Sequence, residues 1–176
     1  MSNTKTKQHV LEMAYLESLL DATANNEKFE TETNKLPFIC QLIKIAGLKF
    51  ALPLSSFSHI LKYSEILESA ESKSDFILEN VQIDGHQVRI IDLAQIVLAE
   101  DKLKQPINSR QNKYDSIIIM QDARFGLACD EILDTEMLTP EEVCWRNSSS
   151  QRLWLAGTVK SGGYALLDVD ELLGSI

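Results

Sequence analysis

A mainly β fold is the reading this sequence supports, and three observations carry it. From about residue 36 onward the apolar residues fall in short runs rich in Ile, Val, Phe and Leu: FICQLIKIAG, KFALP, FILENVQI, VRIIDL, SIIIMQ, RFGLACDEI, LAGTVK and YALLDV. That length and composition suit strands rather than helices. Compact turn sequences separate the runs, and the stretches with helical spacing are few and brief. Sequential antiparallel hairpins are expected, with their edges closed most economically by barrel formation.

Taken in chain order, residues 1–35 form a separate N-terminal extension. HVLEMAYLESLLDA sets Met13, Leu16, Leu19 and Leu20 at spacings of three and four, which predicts one amphipathic helix, and the polar ANNEKFETETNK after it reads as a tether. Such a helix either docks on the domain's own surface or lays its apolar face in a partner's groove. The domain proper spans 36–176. Within it Asp84-Gly85 joins NVQI to HQVRII, since glycine supplies the positive φ of a tight turn. Gly162-Gly163 does the same before YALLDV, and Asp122-Ala123-Arg124 turns SIIIMQ back into FGLACDEI. Short helices are expected at LAQIVLAE, at TPEEV with Thr139 as cap and Pro140 in first position, and at DVDELL. DKLKQPINSRQNKYD, polar and proline-containing, is expected to be an exposed loop.

Composition excludes several classes. The chain has 176 residues, enough for one core or two small barrels, and its 44% hydrophobic and 24% charged content is that of a globular protein. No apolar run approaches the roughly 20 residues that span a bilayer, and the first residues lack a signal peptide's long apolar stretch, so no membrane insertion and a cytoplasmic location are expected. Seventeen basic against 26 acidic residues give a net charge of -9, which opposes nucleic acid as a partner.

The chemistry-bearing residues form no catalytic pattern. There is no phosphate loop, dinucleotide fingerprint, nucleophile elbow or zincin helix. Cys40, Cys129 and Cys144 form no C-x-x-C pair and read as packed thiols, the rival being a thiol enzyme. His9, His59 and His86 have no metal-ligand spacing, and the acids Asp130, Glu131, Asp168, Asp170 and Glu171 flank strand ends or helix starts, where acids cap. Catalytic residues, metal sites and cofactors are therefore expected to be none. Trp145 and Trp154 each have an arginine beside them, Arg146 and Arg152, and are candidate partner-binding anchors, with core packing as the alternative.

The order of FICQLIKIAG, KFALPLSSFSHIL, VRIIDL, RFGLACDEI and LAGTVKSGGYALLDVDELL resembles the CheW-like domain family over about Leu36 to Ile176. The resemblance implies two SH3-like five-stranded β-barrel subdomains and a non-enzymatic scaffold that couples methyl-accepting chemoreceptors to the regulatory domain of the histidine kinase CheA. VRIIDLAQIVLAED, FGLACDEI followed by VCWRN, and WLAGTV are similar to the ParP-type coupling proteins, which implies polar arrays and a ParA-like organiser ATPase as a further partner. Carried onto this sequence, the resemblance implies that Phe57 faces the kinase and that Ile117 and Thr135 face receptors. In the family an Asn-Leu-Arg-Gly turn precedes the strand leading to Asp-Leu. Here that turn is Gln82-Ile83-Asp84-Gly85, with Arg89 in place of a proline, so Asp84 inverts the charge of a partner-binding position. A module of another sensory or pilus-motility pathway is the alternative function.

Overall fold

The computed structural model describes residues 36–65, 77–98, 114–147 and 151–176. The predicted N-terminal helix and most of the DKLKQPINSRQNKYD loop lie outside these residues. The rest is mainly β, as expected, in two compact units.

The first unit holds described residues 36–42, 47–53 and 134–176. Its sheet draws on β1 (Phe38–Ile45), β2 (Leu48–Pro53), β8 (Glu131–Leu138), β9 (Val143–Trp145), β10 (Leu155–Val159) and β11 (Tyr164–Leu167), ordered β8-β1-β2-β11-β10-β9. Six strands stand here where five were expected. Cys40, Ala51, Leu138, Val143, Val159 and Leu166 pack in its core around the ring of Tyr164. β9 can lie close to β10 because position 157 is glycine: opposite Trp145 in the register, a Cβ there would sit 2.7 Å from the Cys144 carbonyl oxygen.

The second unit holds residues 43–46 and the described part of 54–133. Its five-stranded sheet is β3 (Phe57–Lys62), β6 (Ser116–Met120), β7 (Phe125–Cys129), β5 (His86–Asp92) and β4 (Ile77–Ile83), in that spatial order. The core is aliphatic, with Val81, Val88, Ile90, Ile117, Ile119 and Ala128 interlocked. Every residue of β6 and β7 is buried. A continuous apolar run such as SIIIM is the pattern of a strand covered on both faces.

The β4–β5 hairpin turns on Asp84 and Gly85 at φ 50° and 81°, both in the left-handed region that a two-residue hairpin loop requires. Asp122 organises the next turn, accepting from the Arg124 backbone N–H at 3.0 Å and pairing with its guanidinium at 2.6 Å. The expected sequential antiparallel hairpins are present in β4–β5, β6–β7 and β10–β11, and each sheet also contains a parallel pairing beyond that expectation, β2 with β11 and β5 with β7. β7 keeps its hairpin with β6 and on its other side pairs with β5, which precedes α1 (Leu93–Val97) in the chain, and such an intervening crossover is what parallel pairing demands. Two of the three predicted helices are shorter than their sequence patterns, and the one at DVDELL is as long as expected. LAQIV forms α1, capped by Asp92 through the Ala94 N–H at 3.0 Å, and α2 (Val169–Gly174) is capped by Asp168 through the Glu171 N–H at 3.2 Å. TPEEV yields only a 3-10 turn over Pro140–Glu142, in which the Glu142 carboxylate accepts the backbone N–H and hydroxyl of Thr139.

Candidate partner-binding surfaces

The sheet orders sort the candidate residues. Four lie on the outermost strands or at a turn that joins one of them to its neighbour: Phe57 opens β3, Asp84 tips the β4–β5 hairpin, Thr135 is in β8 and Trp145 ends β9. Asp84 and Thr135 are exposed, and Phe57 and Trp145 are half-buried. The other two are interior.

Ile117, in β6, is 0% exposed and packs in the second unit's aliphatic core. Trp154 is 3% exposed, with its ring 6.2 Å from that of Phe50 in an edge-on arrangement. The expectation that these two offer surface to partners is corrected. Ile117 is caught between neighbours on both sides of its strand, and Trp154 is held by its own backbone as well, its carbonyl accepting the Asp168 N–H at 2.8 Å. The arginines beside the indoles suggested interface anchors, yet sequence neighbours of a tryptophan do not decide which way it faces.

Trp145 is built differently. Its indole N–H donates to the Pro140 carbonyl at 3.1 Å, and its ring lies 6.4 Å from that of Phe38. The 3-10 turn supplies that carbonyl, so the Thr139–Glu142 cap fixes the angle at which the indole is presented. Arg146 follows, its guanidinium 4.0 Å from Asp168.

Three of the acids singled out in the sequence, Asp130, Glu131 and Asp168, serve structure. Asp130 accepts the backbone N–H of Ala46, a residue at φ 53°, at 2.6 Å, and Glu131 pairs with Lys44 at 3.2 Å. Two of the three thiols are poorly suited to nucleophilic work. Burial, with Glu136 nearby, pushes the Cys40 thiol up to about 12, and burial, with Asp130 and Asp115, does the same for Cys129. A thiol held that far above neutral pH supplies almost no thiolate. Cys144 is half-buried in β9. Among the described residues no group of three or more His, Cys, Asp or Glu is placed to hold a metal ion, and no helix is long and apolar enough to cross a membrane.

Sequence reasoning missed one feature of this surface. Arg89 and Arg124 both stack on Phe125, their guanidinium carbons 5.2 and 5.8 Å from the ring centre. The parallel register that brings Arg89 beside Phe125 leaves no mark in the order of residues.

The two β-sheet units thus carry four of the six candidate contact residues on or beside their outermost strands. The CheW-like domain profile matches residues 40–176. The chain belongs to the CheW-like domain family, a non-catalytic family of chemotaxis scaffolds and adaptors. Its fold is similar to the crystal structure of scaffolding protein TtCheW from Thermoanaerobacter tengcongensis, with a TM-score of 0.58 and 14% sequence identity over 76% of this chain and 90% of that one. Comparison with curated protein sequences finds no match.

Proposed function

We propose that this chain couples chemoreceptors to the histidine kinase CheA in a chemosensory array, using separate surfaces for each. The observation that carries the proposal is the placement of Phe57, Asp84, Thr135 and Trp145 at the outermost strands of two different sheets. A scaffold needs two independent contacts, because holding both partners at once raises the local concentration of each without chemistry of its own. Phe57 is the kinase-facing residue of this reading and Thr135 the receptor-facing one. Asp84 places an anion at the hairpin tip, so the partner meeting it there carries a basic patch. Polar placement, with a ParA-like ATPase as organiser, rests on the narrower likeness of VRIIDLAQIVLAED, VCWRN and WLAGTV to ParP-type proteins.

The test is a calorimetric titration of the full chain with the regulatory domain of CheA. Saturable binding is expected, weakened about tenfold by Phe57→Ala and unchanged by Thr135→Arg, with the melting temperature of both variants near the parent's. Absence of heat at micromolar concentrations, or equal loss from both substitutions, overturns the assignment of surfaces. Fluorescence microscopy of the tagged protein checks the polar part, and a diffuse signal in cells that hold polar arrays sinks it.

A further inference from the structure

We infer that Arg89, Phe125 and Arg124 form a preorganised cationic platform on the second unit that docks an acidic segment of a partner protein. The inference stands apart from the kinase and receptor assignments, since it uses none of their residues.

The geometry begins in the backbone. β5 and β7 run parallel with Arg89 in register with Phe125, and the Arg89 N–H donates to the Arg124 carbonyl at 2.9 Å. Two arginines distant in sequence are thereby fixed side by side. Phe125 is 8% exposed and forms a rigid floor, and both guanidinium groups lie within cation–π reach of its ring. Stacking of this kind restricts the long arginine side chains before a partner arrives, which lowers the entropy lost on binding.

Charge then sets the class of ligand. Arg124 is engaged through Nε by Asp122, yet its side chain remains 73% exposed. Arg89 is exposed, and among the described residues its guanidinium has no carboxylate or hydrogen-bond partner. Its neighbour across the hairpin, Asn80, is uncharged, as are Gln82 and Gln87 two pairs nearer the turn. An arginine that no carboxylate among the described residues engages, on a chain with 26 acidic and 17 basic residues, is a group that an outside carboxylate can pair with. Planar guanidinium forks match carboxylates in a bidentate manner, and two of them on one ring suit a pair of acidic side chains on a short segment. An extended phosphate polymer fits less well, because beyond the platform it meets the field of a protein with net charge -9.

The experiment is an NMR titration of the isotopically labelled full chain with a short peptide bearing two glutamates among uncharged residues, at low salt. Saturable shifts are expected in the arginine Nε–H signals of Arg89 and Arg124 and in the Phe125 amide. Arg89→Ala is expected to weaken binding about tenfold, and Arg89→Lys, which keeps the charge and loses the planar fork, several-fold. Lys160→Ala, at an exposed position of the other unit, is expected to change it less than about twofold. The inference is overturned by shifts that never saturate, by a Lys160→Ala effect equal to that of Arg89→Ala, or by a short oligonucleotide binding the same arginines more tightly than the peptide. Unchanged amide spectra of the Arg89→Lys protein away from the platform guard against misfolding as the cause of lost binding.

Discussion

Trp145 and Trp154 begin from similar surroundings, each an indole beside an arginine in the first unit, and end in opposite situations. Trp145 closes an outermost strand, half-buried, its N–H tied to the Pro140 carbonyl. Trp154 is buried, with its ring against that of Phe50. The difference teaches that position in the sheet order, rather than residue type or near neighbours, decides whether a large aromatic stabilises the fold or is left for a partner. The same division runs through the second unit, where Ile117 in an inner strand is core and Phe57 in an outer one is half-exposed.

That contrast can be attacked in several places. The largest effect belongs to Trp154→Ala, which removes a fully enclosed ring and is expected to cost about 3–5 kcal/mol of stability in urea denaturation. A loss under about 1 kcal/mol would mean that the indole is not core. Next comes alkali. Below pH 9.0, the ordinary value for a thiol, Cys40 and Cys129 keep their protons whether the chain is folded or not. Above it the unfolded chain releases protons that the folded chain retains, so stability falls as pH climbs toward about 12. Tyr63 steepens the same limb, since burial and the nearby Glu79 push its phenol from 10.0 up to about 12. The denaturation midpoint followed from neutral pH into this range is expected to decline, and less steeply in Cys129→Ala.

Gly157→Ala probes the outer strand without touching the indole. Its new Cβ has no room before the Cys144 carbonyl, so β9 must shift, at an expected cost of roughly 1–3 kcal/mol, with the Trp145 fluorescence moving toward that of a wetter environment. Smallest is Trp145→Phe, which keeps an aromatic beside Phe38 but gives up the bond to Pro140. About 1 kcal/mol is expected from thermal unfolding. A cost as large as that of Trp154→Ala would erase the distinction between the two sites.

Much of this architecture could be read from residue order, because strands and tight turns are local. The strand runs, the Asp84-Gly85 hairpin and the capping role of Asp168 follow from patterns a few residues long. What escaped was non-local. The parallel pairings of β2 with β11 and β5 with β7 join segments far apart in the chain, and with them the Arg89–Phe125–Arg124 cluster stayed hidden. Ile117 was legible in principle, since SIIIM lacks the alternation of a half-exposed strand. TPEEV carries every mark of a helix start, but Val143 turns extended to pair with Val159 and stops it after one turn.

The division of the chain between its units has a consequence for the order of events during synthesis. The second unit draws only on residues up to Leu133, whereas the first also needs β11, which pairs with β2 from much later in the chain. A nascent chain halted between those points would expose β2 with one neighbour missing, an unpaired strand edge of the kind that invites association with other chains.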